Sequence, residues 1–129
     1  MDLNTFFNIL LGSTFGLILR LFVRYKFKKN KLFYFNNYLI VNILSSLFLG
    51  FFVALNITNK NLILFYSVGF LGCFSTFSSF IYQLFSLIHK RKYISLIIYY
   101  IEVLVLSFLF FSLGYLIILI FKSWIINFF

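Results

Sequence analysis

Twelve residues in the middle of a long apolar stretch, Gly69-Phe70-Leu71-Gly72-Cys73-Phe74-Ser75-Thr76-Phe77-Ser78-Ser79-Phe80, carry the chemistry of this chain. Glycines at 69 and 72 weaken a helix. Ser75 and Thr76 can satisfy freed backbone groups or compete for them. Irregular backbone at membrane depth is tolerated only where protein or a water-filled cavity surrounds it. A break here would present carbonyl oxygens, which suit a hard cation such as sodium. Phe77 and Phe80 share one helix face. The edge of a phenyl ring carries partial positive charge, so the pair can either pack or meet an anion edge-on.

Three other stretches hold polar or small residues at helical spacing. Gly12-x-x-x-Gly16-x-x-x-Arg20 puts two small residues on one face, the pattern that lets a second helix approach closely. Arg20 lies one turn further along that face; it either snorkels to the headgroups or points into a packing interface or vestibule. Asn42, Ser45, Ser46 and Gly50 are spaced to form one face, suited to an interhelical hydrogen bond or to offering an amide N–H to a passing anion. Tyr99, Val103 and Ser107 make a line on another helix. Glu102 lies off that line, and Gly114 reads as a packing residue. With one His, one Cys and no carboxylate pair, the chain lacks catalytic, metal-ligand and phosphate-loop patterns, so an enzyme is not expected.

The elements that must position these residues are membrane spans. Of the 129 residues, 64% are hydrophobic and 10% charged, more apolar surface than a soluble domain this small can hide. Four apolar stretches, at 6–23, 35–55, 62–88 and 93–121, reach the ~20 residues that cross a bilayer, giving a single four-helix membrane domain over 1–129. No signal peptide is expected, because the first span lacks a basic leader and a cleavage site. Proline is absent, so any break must come from glycine and hydroxyl residues. The net charge of +9 does not indicate nucleic acid, because the cations cluster at span ends. Arg20, Arg24, Lys26, Lys28, Lys29, Lys31, Lys90, Arg91 and Lys92 fall on one side, and only Lys60 and Lys122 on the other. The positive-inside rule puts the first and third connections in the cytoplasm and both termini outside.

In this order, the Gly12…Gly16…Arg20 span, the run from Asn42 to Gly50, the run from Gly69 to Phe80 and the Tyr99…Ser107…Gly114 pattern resemble the CrcB/Fluc family of fluoride channels over nearly the whole chain. The resemblance implies four membrane helices, the third broken near its middle, in an antiparallel dual-topology dimer with two pores in the cell membrane. It implies passive export of fluoride, which lowers its toxic concentration in the cytoplasm. Asn42, Thr76, Phe77, Phe80, Tyr99 and Ser107 match positions along the fluoride path, with Arg20 at the vestibule. Gly72 and Ser75 match residues whose backbone carbonyls, with the same pair from a second chain, hold a structural sodium ion. Ser75 stands where the family has Thr, Val103 where a pore-side Ser is expected, and Gln83 where a Glu follows the Phe pair. The nine-to-two charge bias implies one fixed orientation, and hence a paralogous partner of opposite bias. The alternative reading is a small four-helix proton-coupled multidrug exporter, which needs a carboxylate in its first span; this one has only Asp2, at its start.

Overall fold

A computed structural model describes residues 2–28 and 37–129, with side chains for 2–26 and 39–129. The expected start of the second span at Phe35 and the cations Lys29 and Lys31 lie outside the described residues. The described chain is all-helical. Helix α1 spans Leu3–Lys28, α2 Asn37–Leu55 and α3 Lys60–Ile63. A π-helical segment, Leu64–Leu71, continues α3 and leads into α4, Gly72–Phe74. Helix α5 spans Phe77–His89 and α6 Tyr93–Phe128. Three stretches, Leu3–Lys26, Lys60–His89 and Tyr93–Phe128, are long and apolar enough to cross a membrane, and α2 is a shorter apolar helix over Leu39–Leu55. Large apolar side chains stand exposed along these helices, while the buried ones form only small clusters. Such an arrangement suits a bilayer, not water, as the solvent.

Two backbone-on-backbone crossings hold the bundle. Helix α1 lies against the π-helical segment, and α2 against α6. At the first crossing a Cβ on Gly12 would overlap the carbonyl oxygen of Phe65, and one on Gly16 that of Phe70. Gly69 answers from the other side, where a Cβ would stand 2.7 Å from the Ile9 carbonyl oxygen and 3.0 Å from the Gly12 Cα. At the second crossing Gly50 meets the Phe111 carbonyl, and a Cβ on Gly114 would lie 2.5 Å from the Leu47 carbonyl oxygen. With no hydrophobic drive between helices in lipid, close approach of this kind supplies the dispersion contact that stabilises the fold. Gly50 therefore belongs to the α2–α6 contact and not, as its spacing suggests, to the polar face of Ser45 and Ser46.

Several serine hydroxyls are satisfied inside their own helices, as an apolar solvent favours. Ser13 donates to the Ile9 carbonyl at 2.7 Å and Ser112 to the Phe108 carbonyl at 3.0 Å. Helix α2 stops at Asn56, which takes the left-handed φ of 50° that Asn tolerates better than most residues. The Lys122 ammonium of α6 then donates to the Ala54 carbonyl at 2.7 Å. It satisfies one of the orphan carbonyls at the end of α2 with a charge suited to the negative end of the helix dipole.

Candidate functional site

Regular helix stops at Phe74 and resumes at Phe77. Between them Ser75 (φ −75°, ψ 153°) and Thr76 (φ −131°, ψ 98°) are extended. The glycines do not mark the spot: Gly69 packs against α1, and Gly72 is helical. Ser75 closes the preceding turn with two donors, its N–H at 3.0 Å and its hydroxyl at 2.9 Å, both to the Leu71 carbonyl.

Thr76 would be left with orphan backbone groups, and it is buried. Asn42 of α2 supplies both partners. Its Oδ1 accepts from the Thr76 N–H at 3.0 Å, and its Nδ2 donates to the Thr76 carbonyl at 3.3 Å. A carboxamide is a peptide group in miniature and replaces a helical neighbour on both sides at once. The Asn42 carbonyl in turn accepts from the hydroxyls of Ser45 and Ser46 at 2.9 and 3.0 Å. Because the Thr76 N–H goes to Asn42, the Gly72 carbonyl loses its helical donor four residues on. Ser75, extended ahead of α5, has a carbonyl outside the helical ladder as well.

Gly72 faces open space, for a Cβ there would meet nothing within 4 Å. It borders a groove of about 280 Å³ together with Ser45, Ser46, Ser67 and Ser75. Ser67 is a groove residue to which the sequence spacing gives no pointer.

On the far side of the break the rings gather. Phe80 is buried in a cluster with Leu39 and Val103, against which Tyr99 and Leu106 pack. Its ring centroid lies 5.9 Å from Tyr99, 6.2 Å from Tyr100 and 6.3 Å from Phe77. Phe77 itself is 75% exposed, so the two phenylalanines expected to share a face meet unlike surroundings. The Tyr99 hydroxyl is buried with no hydrogen-bond partner among the described residues. Val103 fills the position between Tyr99 and Ser107 with a methyl pair in contact with Phe80. Ser107 is half-buried a further turn along, and Glu102 is exposed.

The expected site residues thus fall into connected groups. Asn42 and Thr76 bond directly; Phe77, Phe80 and Tyr99 form a chain of rings; Gly72 and Ser75 border the serine groove. Arg20 and Ser107 stand apart. The Arg20 Nε is buried with no hydrogen-bond partner among the described residues. Among those residues there is also no cluster of three or more His, Cys, Asp or Glu that could hold a metal, so oxygen donors here are peptide carbonyls and hydroxyls.

The family model for CrcB-like protein, Camphor Resistance (CrcB), matches residues 7–115, a stretch that contains both glycine crossings, the break and the ring cluster. The chain belongs to the CrcB family. This CrcB chain is 69% identical over 121 residues to "Fluoride-specific ion channel FluC 2" of Prochlorococcus marinus subsp. pastoris strain MED4, covering 94% of this chain and 98% of that one. It is 54% identical over 115 residues to the protein of the same name from Prochlorococcus marinus strain MIT 9312, covering 89% of this chain and 94% of that one. Strain MED4 also has a "Fluoride-specific ion channel FluC 1", 31% identical to this CrcB chain over 83 residues, which covers 64% of this chain and 75% of the relative. As a CrcB protein with several membrane-length apolar helices, the chain is a membrane protein.

Proposed function

We propose that this chain is a subunit of a fluoride-specific channel that lets the ion leave the cytoplasm passively. The observation that carries the reading is the extended pair Ser75-Thr76, its Thr76 clamped by Asn42, one turn before the buried Phe80. Fluoride is small and strongly hydrated, so a path for it must replace water with weak donors. A buried fixed charge would hold it too tightly to conduct. Asn42 has a second amide hydrogen beyond the one given to Thr76, Tyr99 has an unpartnered hydroxyl, and Phe77 and Phe80 offer ring edges. Arg20 would raise the local anion concentration at the mouth. The path runs by way of Asn42, Thr76, Phe77, Phe80, Tyr99 and Ser107. The exporter alternative finds no support: the first helix has no carboxylate beyond Asp2, and the relatives bear the names of fluoride channels.

The Lys60–His89 helix is read as a membrane span broken at its middle, with the break itself functional. The carbonyls of Gly72 and Ser75 fit a sodium ion: both lie outside the helical ladder, both residues border an open groove, and a hard cation prefers neutral oxygen. Two carbonyls cannot complete a coordination shell, which favours a second chain supplying the same pair. The ion's part is to tie the chains together.

Purified chain in liposomes should release trapped fluoride, followed with a fluoride electrode. Phe80→Ile should lower the release by about tenfold or more, the value of one lost ion contact near 1.4 kcal/mol. Equal release with and without this change would remove the ring cluster from the path, and no release with any partner chain would remove the channel reading.

The antiparallel dimer follows the family resemblance, and the nine-to-two distribution of cations favours one insertion direction for this chain. Its partner is then a paralogous chain with the opposite bias, a reading supported by the two numbered FluC proteins of strain MED4. With Cys73 changed to Ser and a single cysteine placed at Lys60, an impermeant thiol reagent should label whole cells. The same cysteine placed at Lys90 should stay unlabelled. Labelling of both from outside would establish dual insertion of this one chain.

A further inference from the structure

The final turns of α6 extend beyond everything the CrcB match covers, since that match stops at residue 115. Only two charged residues lie on α6, Glu102 and Lys122. Twenty residues of helix separate them, a rise of about 30 Å, which equals the ~30 Å hydrocarbon thickness of a bilayer. Residues 103–121 between them are uncharged. The level of Lys122 is fixed independently by its 2.7 Å bond to the Ala54 carbonyl, one residue before α2 ends at Leu55. Two elements therefore mark one edge of the bundle at the same height, with an ammonium group there.

Beyond that edge α6 keeps going for Ser123-Trp124-Ile125-Ile126-Asn127-Phe128, about 9 Å more. Among the described residues these turns stand uncovered: Trp124 is 58% exposed, and Ile126 and Phe128 are each 74% exposed. The Trp124 and Phe128 rings stack on one another at 5.1 Å, making one aromatic flank. Residues 123–129 carry no charged side chain. An apolar, uncharged overhang is too hydrophobic for water and stands outside the hydrocarbon slab. Its length matches the ~5–8 Å headgroup layer on each side, where tryptophan is enriched and its N–H finds polar partners.

We infer that residues 123–128 of α6 form a lipid contact seated at the headgroup–acyl boundary, with Lys122 at the edge of the hydrocarbon. The overhang anchors α6 at a set depth and so keeps the Lys122 ammonium opposite the end of α2.

Trp124 is the one tryptophan of the chain, so its fluorescence reports this segment alone. The full chain is reconstituted in phosphatidylcholine vesicles, with lipids brominated either near the headgroup end or near the methyl end of the acyl chain, and with aqueous iodide as a third quencher. Bromines near the headgroup should quench Trp124 about twofold more strongly than deep ones, as for an interfacial indole. Stronger quenching by deep bromines would place the overhang inside the core and overturn the assignment. Quenching by iodide alone would place it in water, and quenching by none of the three would place it under a protein partner; either result overturns it. The readout does not depend on ion flux.

Discussion

Asn42→Leu is expected to cut fluoride release from liposomes by about 100-fold. The Thr76 N–H and carbonyl would both lose their partner where no water replaces it, at ~1–3 kcal/mol for each group. Every ~1.4 kcal/mol is a factor of ten in the population of the conducting backbone. Asn42→Asp separates the two halves of the clamp: an ionised carboxylate still accepts from the Thr76 N–H at the place Oδ1 holds, but it cannot donate to the Thr76 carbonyl. A carboxylate on the path also lacks any N–H for fluoride and repels it, so the flux of Asn42→Asp should be no higher than that of Asn42→Leu. The thermal transition of each purified variant in detergent identifies the cause. If Asn42 works through the backbone, flux and thermal stability fall together. A loss of flux at unchanged stability would show that the amide acts on the ion alone.

The second large effect is on folding. Gly16→Val should leave almost no monodisperse protein after detergent extraction, judged by size-exclusion chromatography. Its Cβ would collide with the Phe70 carbonyl oxygen, with the Phe70 carbonyl carbon at 3.1 Å and Cα at 3.2 Å behind it. Backbone cannot swing aside as a side chain can, so α1 would have to leave the π-helical segment, a loss in the exceptional class above about 4 kcal/mol. Gly72→Ala is the contrast. Nothing lies within 4 Å of its new methyl group, and helix propensity gains up to ~1 kcal/mol. The monomer fold should survive, and any defect should show in subunit association or sodium dependence. A Gly16→Val protein as monodisperse as the parent would remove the close crossing from the account of stability.

Much of this was legible in one dimension. Apolar run length located the helices, though it undercounted their ends: α1 reaches Lys28 and α6 reaches Phe128, because a helix need not stop where its hydrophobic run does. Small-xxx-small spacing marked Gly12 and Gly16 as packing residues, but could not say that they meet the carbonyls of Phe65 and Phe70. The stretch 69–80 stood out as the place where regular helix is hardest to keep. It named Ser75 and Thr76 as hydroxyls that compete for backbone groups, but not the partner that holds Thr76, an amide 34 positions earlier. The π-helical segment left no trace in the pattern, since Leu64–Leu71 is apolar nearly all round and has no polar stripe whose register could reveal the change of pitch. Ser67 went unnoticed for a related reason: a lone hydroxyl in an apolar run reads as filler until the groove it borders is seen.

The clamp also bears on how the protein is made. Asn42 emerges from the ribosome 34 residues ahead of Thr76, a lead of roughly 2 to 7 seconds at 5–20 residues per second. The acceptor and donor that the interrupted segment needs are therefore made before that segment. Each unpaired peptide group costs several kcal/mol in lipid, and with the order reversed the segment would have been driven to wind into unbroken helix before its template existed. The sequence order of the two elements thus acts as a built-in assembly instruction: the mould precedes the casting.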